Sequence, residues 1–355
     1  MKPFHPLSTV EQLAEHLRGE IIVGTLSNAL PGVHKLAKEL GVSPKTVIAA
    51  VSKLEHDGLL QGQGARKKNL IVKSTEKRKA ALRISILLYD LNDRSTRFPI
   101  ELQHQLEAAG HIANFASQTI LDMERSVARI AEFVDQNKAD AWIVLAGPLE
   151  VLEWFASQRI PVFACFGRRQ ELMIAGGGPD KPLALRKALR RLVELGHKRI
   201  VLIAREERRK PKPGVSEQAF LTEMTSHGIK VGAYNLPDWE ETPEGFIRCL
   251  DSIFQVTPPT ALIIDEAFFL TIALQHLARR GICAPQQVSL ICCDPDPTFS
   301  WLLPNVAHIN WDSQAVIRHI VRWAIDITSG KINHKQITTK ADFIEGGSIG
   351  PAPKG

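Results

Sequence analysis

The stretch Leu36-Ala-Lys-Glu-Leu-Gly-Val-Ser-Pro-Lys-Thr-Val-Ile-Ala-Ala-Val-Ser-Lys-Leu-Glu-His-Asp-Gly-Leu-Leu60 reads as two short helices joined by a tight turn. Leu36, Ala37 and Leu40 give the first helix an apolar face. Gly41 follows, where a helix end favours a residue that tolerates positive φ. Ser43 is placed to accept a hydrogen bond from the first free N–H groups of the second helix. Pro44 takes the first helical position, where its missing N–H costs nothing. Val47, Val51 and Leu54 then repeat at helical spacing as one buried stripe. Lys45, Thr46, Ile48, Ala49 and Ser52 fall on the other faces. A helix with a buried stripe and a small or basic leading edge fits the major groove of duplex DNA. An ordinary helical hairpin of a soluble core shares this periodicity, so the flanking sequence has to decide between them.

Upstream, Ser8-Thr-Val-Glu11 has the form of a capping box. Val10, Leu13, Leu17 and Ile21 carry a first helix to about Val23, and residues 24–32 form a loop. Downstream, Gln61-Gly-Gln-Gly-Ala-Arg-Lys-Lys-Asn69 runs into Leu70-Ile-Val72. Two glycines, three cations and a β-branched run predict a hairpin with a basic tip, placed to lie along phosphates or enter a minor groove. Residues 1–80 hold 13 Lys and Arg against 7 Asp and Glu, so the whole net charge of +6 sits on this segment and the remainder is neutral. That segregation is the electrostatic footprint of a nucleic-acid-binding module. Residues 73–81 are polar and aperiodic, as an interdomain linker is.

Beyond residue 82 apolar strands alternate with amphipathic helices. Strands are expected at 84–89, 141–145, 162–166, 200–204, 261–265 and 289–292. Helices are expected at 100–109, 124–136, 149–158, 182–195, 216–227, 242–254, 268–280 and 313–328. Such alternation builds parallel sheets covered on both faces, and its length suits two α/β lobes. Ligands in these sheets bind outside the carboxyl ends of strands. The strand ends here carry Asp90, Arg168, Arg205 to Arg209, Asp265-Glu266 and Asp294.

At 355 residues, 44% apolar and 23% charged, the chain is long enough for two or three domains and is not biased toward disorder. It has no membrane-length apolar run, and its first residues lack an apolar signal core, so neither a membrane span nor export is expected. Five cysteines without a C-x-x-C pair, two of them adjacent in the apolar run at Cys292 and Cys293, read as buried thiols in a reducing cytoplasm. Gly176-Gly-Gly178 lacks the spacing of a phosphate-binding loop and reads as a flexible turn before a helix capped by Asp180. Asp294 and Asp296 form a close carboxylate pair, but no third carboxylate or His lies near them, which disfavours a metal or acid–base role. No nucleophile elbow and no H-E-x-x-H occurs. No cofactor is expected.

Two family resemblances rest on these residues. Residues 7–72 resemble the winged-helix domain of the gluconate-repressor (GntR) family. The match runs through Leu30-Pro31, Leu36-Ala37, Leu40-Gly-Val-Ser43, Thr46-Val47, Leu54-Glu55, Gly58-Leu59 and Gly64. Residues 82–353 resemble the effector-binding domain of the lactose/galactose-repressor (LacI/GalR) family, itself similar to periplasmic sugar-binding proteins. Leu195-Gly-His-Lys-Arg-Ile200, Pro259-Thr-Ala261, Asp265-Glu266, Arg280-Gly-Ile282, Pro285-Gln-Gln-Val-Ser-Leu290, Asp294 and Gly347-Ser348 carry that match. The combination resembles the arabinose-repressor architecture.

The resemblance implies a winged helix at 1–72, a linker at 73–81 and a two-lobed, periplasmic-binding-protein-like effector and dimerisation domain at 82–355. It implies a cytoplasmic, homodimeric regulator, a repressor of carbohydrate-related genes, whose partners are a DNA operator and a sugar-like effector. The alternatives are a constitutive DNA-binding protein whose sensor lobes only dimerise, and an α/β enzyme. The implied DNA contacts are His34, Lys35, Ser43, Lys45, Thr46, Ile48, Ala49, Gly64, Arg66, Lys67 and Lys68. The implied effector contacts are Asp90, Arg168, Arg209, Ser216, Asp265 and Asp294. The family usually places Ser-x-Arg where this chain has Gly32 and His34, and an arginine where it has Ile48. A commonly ligand-holding arginine aligns with Ser216, and a common asparagine with Asp265.

Overall fold

The computed structural model describes residues 9–23, 30–56, 60–61, 70–71, 81–331 and 333–354. The chain divides into two compact units, Met1–Ala80 and Ala81–Gly355.

The first unit holds α1 (Thr9–Val23), α2 (Val33–Glu39), α3 (Pro44–His56) and an antiparallel pair, β1 (Leu60–Gln61) and β2 (Leu70–Ile71), with Leu60 opposite Ile71. Val47, Val51 and Leu54 are buried as their spacing predicts, in one core with Leu13, Leu17, Leu36 and Leu60. Ala50 is buried with them; its small side chain widens the stripe without widening the gap to α1. Gly41 sits at φ +64, and the Val42 N–H bonds back to the Ala37 carbonyl at 3.1 Å. Ser43 Oγ accepts from the Thr46 N–H at 3.1 Å, which makes it the N-cap of α3. Ser8, residues 24–29 of the loop expected at 24–32, residues 62–69 with the expected hairpin tip, and residues 72–80, which hold all of the linker expected at 73–81 but Ala81, lie outside the described residues.

The second unit has two lobes. In the first, β3 (Arg83–Leu87), β4 (Ile112–Phe115), β5 (Ala141–Leu145), β6 (Val162–Cys165), β7 (Ala175–Pro179) and β12 (Gln336–Thr339) form a parallel sheet in the order β12-β7-β6-β5-β3-β4. α4 (Arg97–Ala108) and α12 (Ser313–Thr328) cover one face through Leu102, Leu106, Ile317 and Trp323. α5 (Val127–Gln136) and α6 (Leu149–Ser157) cover the other around Trp142, Ile130 and Phe155. With both faces dry, strands such as Ala-Trp-Ile-Val-Leu at 141–145 are apolar throughout rather than alternating.

In the second lobe β8 (Ile200–Ile203), β9 (Ala261–Ile264), β10 (Ser289–Cys292), β11 (Ala307–Trp311) and β13 (Ala341–Ile344) lie in the order β13-β11-β10-β9-β8, with only β13 antiparallel. α7 (Lys181–Glu194) and α9 (Val215–Ser226) pack one face, and α10 (Pro243–Val256) and α11 (Ala267–Arg279) the other. A short helix, α8 (Glu206–Arg209), follows β8. Each lobe borrows elements from distant sequence, so the chain crosses between them at Asp180, Asp312 and Lys340.

All six expected strands are present, within two residues of the expected bounds. Five others were not expected. Most instructive is β7: the run Gly176-Gly-Gly178, expected as a turn, is a buried strand. A Cβ on Gly176 would stand 2.6 Å from Arg169 Cδ, and one on Gly177 would stand 2.8 Å from Ile337 Cγ1. These glycines are bare because neighbouring side chains lie across them. Asp180 does cap α7, accepting from the Leu183 N–H at 3.4 Å.

Candidate functional site

On the first unit, α3 presents Lys45, Ile48, Ala49 and Ser52 to solvent, with Ile48 57% exposed. An isoleucine so exposed beside an alanine cannot contribute to the core, but it suits contact with a thymine methyl. Thr46 is half-buried, its hydroxyl 2.8 Å from Ser43 Oγ. His34 and Lys35 are exposed on α2, with Lys35 3.7 Å from Glu39. Gly64, Arg66, Lys67 and Lys68 lie outside the described residues.

In the second unit the carboxyl ends of β3, β5 and β6 face those of β8, β9 and β10 across a cleft of about 750 Å³. That is within the roughly 300–1,000 Å³ usual for small-molecule sites. Its wall is aromatic where the lobes meet. Phe98, Phe166 and Trp311 stack edge to face at 5.1, 5.9 and 5.4 Å, joining one lobe to the other. Ala146 and Phe166, which directly follow β5 and β6, hold φ at 52 and 62. Backbone in this region is costly for residues other than glycine, and it concentrates at binding sites.

Three cations enter the cleft, each held by carboxylates. Lys181, just past the first crossing, lies 2.6 Å from Asp294, which also accepts from Trp311 Nε1 at 3.1 Å. Arg208 reaches Glu217 at 3.2 Å and Asp265 at 4.0 Å. Arg205 is 3% exposed and pairs with Glu266 at 2.5 Å, with Asp90 at 3.4 Å across the lobe boundary, and with Glu241 at 3.9 Å. Its guanidinium also lies 4.9 Å from the ring centres of Tyr89 and Phe269. Tyr89 donates to Glu241 at 2.9 Å, and Arg125 meets Glu206 at 2.5 Å, both again between lobes.

Burial dominates the acid groups. It raises Asp294 despite Lys181, and pushes Glu266 up to about 7 against Arg205. It drives Glu207 well above the carboxylate range, reinforced by Glu241; among the described residues Glu207 Oε2 has no hydrogen-bond partner. For Asp265 burial is outweighed by Arg208, Lys181 and Arg205, which hold it below the ordinary value.

Of the six effector contacts the resemblance implied, Asp265 and Asp294 line the cleft. Asp90 stands behind it as a partner of Arg205 and a cap, accepting from the Asn92 N–H at 2.9 Å. Arg168 and Ser216 line a separate recess of about 130 Å³. Arg209 is not in the cleft: it turns into the second lobe, donating to the Ala204 and Trp239 carbonyls and pairing with Asp238. The short α8 is the reason, because it rotates adjacent residues 205, 208 and 209 to different sides. Arg205, Glu207 and Arg208 reach the cleft instead; the cluster Arg205 to Arg209 was visible in sequence, but not which of its members turned inward.

Among the described residues no group of three or more His, Cys, Asp and Glu is placed to hold a metal ion. Asp296, expected as a possible partner of Asp294, instead caps a helical turn by accepting from the Thr298 N–H at 2.8 Å. Cys165, Cys249, Cys292 and Cys293 are buried free thiols and Cys283 is exposed.

Residues 9–66 match the bacterial regulatory proteins of the gntR family, and residues 189–349 match the periplasmic binding protein-like domain. No curated protein matches the chain. Among solved structures, the complex of the transcriptional regulator CelR with cellobiose has a TM-score of 0.61 at 15% identity, covering 90% of this chain and 100% of that one. A LacI family transcriptional regulator from Enterococcus faecium with bound ribose has a TM-score of 0.60 at 15% identity, covering 76% and 98%. A periplasmic binding protein/LacI transcriptional regulator from Alkaliphilus metalliredigens complexed with D-xylulofuranose has 0.59 at 17%, covering 75% and 98%. At these identities the likeness is one of fold.

Proposed function

We propose that this chain, which joins a gntR-family segment to a periplasmic binding protein-like domain, is a transcription regulator that binds an operator through α3 and a polar effector through the cleft. The observation that carries the reading is the cleft itself. It is lined by carboxylate–cation pairs and by aromatic rings where two lobes meet, in a chain whose other unit is a basic winged helix. Arg208 beside Asp265 and Lys181 beside Asp294 offer adjacent donors and acceptors for hydroxyls, and Phe166 and Trp311 offer flat faces for a sugar ring. Bound cellobiose, ribose and D-xylulofuranose in proteins of this fold favour a sugar or a close relative.

Arg208 beside Asp265 also weakens the alternative of an unused pocket. That alternative rested on Ser216 standing where an arginine was expected, and an arginine reaches the cleft from another position.

Mechanistically, a ligand contacting both lobes shifts their angle about the crossings at Asp180, Asp312 and Lys340. We read the protein as a homodimer, in which that shift alters the spacing of two winged helices on half-sites one helical turn apart, and as a repressor released by its effector. Trp301 at 86% and Leu303 at 98% exposure support a dimer contact on the second lobe. A cytoplasmic location fits this role; no helix among the described residues is long and apolar enough to cross a membrane.

Thermal unfolding of the full chain against neutral sugars, alongside mobility shift on duplex DNA, tests the reading. At least one sugar raises Tm and weakens DNA binding. DNA binding without any ligand response supports the constitutive alternative. Absence of DNA binding at low salt sinks the regulator reading, and sedimentation as a monomer at micromolar concentration sinks the dimer.

A further inference from the structure

The small recess beside the cleft contains more positive charge than its acids balance. Arg168 and Arg169 are 9% and 6% exposed, and among the described residues neither pairs with a carboxylate. Among the described residues Arg168 donates only to main-chain oxygens, those of Glu207 at 3.3 Å, Arg208 at 3.2 Å and Lys212 at 2.6 Å. Arg169 makes long contacts to the Phe166 and Ile337 carbonyls at 3.3 and 3.4 Å, and its buried Nε has no partner among the described residues. A buried cation without a counter-charge is expensive.

Both arginines line the recess of about 130 Å³, together with Lys212. Its floor is the N-terminus of α9, twelve residues long, where the N-cap Gly214 has no side chain to offer the first N–H groups. Helix N-termini attract anions through those groups and the helix dipole. The carboxylates present are Glu171, which is exposed, and Glu217, which Arg208 engages through Oε1 and whose Oε2 is buried without a partner among the described residues. The volume suits one anionic group and is too small for a sugar ring with it. Recess and cleft share Phe166, Lys181 and Arg208 as walls, so they adjoin.

We propose that this recess binds a phosphoryl group, through Arg168, Arg169, Lys212 and the first N–H groups of α9. The group belongs either to a phosphorylated effector whose uncharged body fills the cleft or to free inorganic phosphate. The first form rests on the effector reading of the cleft; the anion site itself does not.

The test is thermal unfolding of the full chain in chloride buffer at constant ionic strength. The probes are inorganic phosphate, glucose 6-phosphate, ribose 5-phosphate and the two unphosphorylated sugars. Phosphate-bearing probes at a concentration roughly a hundredfold above their Kd raise Tm by about 5 °C or more. Arg169→Gln abolishes the rise. Lys212→Ala, at an exposed position and leaving in place the main-chain carbonyl that Arg168 uses, weakens binding by roughly tenfold, as loss of one charge-assisted contact does. A sugar phosphate at least tenfold tighter than inorganic phosphate identifies a phosphorylated effector; equal affinity identifies free phosphate. No phosphate-dependent rise, or a full rise retained in both variants, overturns the site. A rise with unphosphorylated sugars alone overturns it while leaving the effector reading intact.

Discussion

Replacing Arg205 by methionine removes a buried cation that ties the two lobes together. Methionine retains apolar bulk against Tyr89 and Phe269 and deletes the guanidinium that holds Glu266, Asp90 and Glu241. Removing one partner of a buried pair costs about 3–5 kcal/mol. Two cation–ring contacts add about 0.5–2 kcal/mol each. Glu266 limits the total: burial already lifts it to about 7 against Arg205, and without that cation it is raised further and takes a proton more readily.

A carboxyl raised in the folded state favours folding below its unfolded pKa, and that advantage is lost as pH rises through the folded value. The deficit of Arg205→Met is therefore largest above pH 7 and shrinks toward pH 5. At pH 8 the expected loss is about 4 kcal/mol, or roughly 8–16 °C for a unit of this size. Adding Glu266→Gln to Arg205→Met restores more than half of it, since the stranded carboxylate is then gone. Thermal unfolding of the four proteins at pH 8 and pH 5.5 measures this cycle. A single-variant loss under about 1 kcal/mol at pH 8, or no recovery in the double variant, refutes the view of Arg205 as a charge clamp.

Glu207→Gln, which removes a buried carboxylate with an unpartnered oxygen, raises Tm at pH 8 and leaves it unchanged near pH 4.5; parallel Tm–pH curves for the two proteins rule this out. On the proposed homodimeric regulator, Lys45→Ala removes two phosphate contacts and lowers the slope of log K against log salt by about 2, measured by DNA titration between low and moderate salt. An unchanged slope takes Lys45 out of the interface. Ala146→Gly relaxes a left-handed residue at the cleft wall and stabilises the second unit by about 1 kcal/mol, read from denaturant unfolding; a loss of stability argues against strain there.

How much of this was legible in sequence follows from what each element depends on. The helix pair at 36–56 was fully legible, because Gly41, Ser43, Pro44 and the Val47–Val51–Leu54 stripe act through neighbours a few residues away. The buried central strands were legible because burial on both faces leaves them apolar from end to end. Edge strands β4, β12 and β13 were not, since half-exposed positions carry mixed residues. Nor was β7, whose glycines make sense only once Arg169 and Ile337 are seen lying across them. The site divides in the same way. Asp265 and Asp294 follow strand ends directly and reach the cleft as expected. Whether Arg205, Arg208 or Arg209 faces inward depends on one turn of helix, and a turn of helix that short has no periodicity to read. Arg168 and Arg169 become informative only because neither pairs with a carboxylate among the described residues, which is a property of three-dimensional packing.

Coupling between DNA and cleft is tested most directly by selecting duplexes from a randomised library with the purified full chain, then measuring release by each compound that raises its Tm. The expected result is an inverted-repeat site with half-sites about one helical turn apart, and at least tenfold weaker binding to it with a cleft ligand present. Enrichment of no site, or undiminished binding while a ligand demonstrably occupies the cleft, contradicts a ligand-responsive regulator.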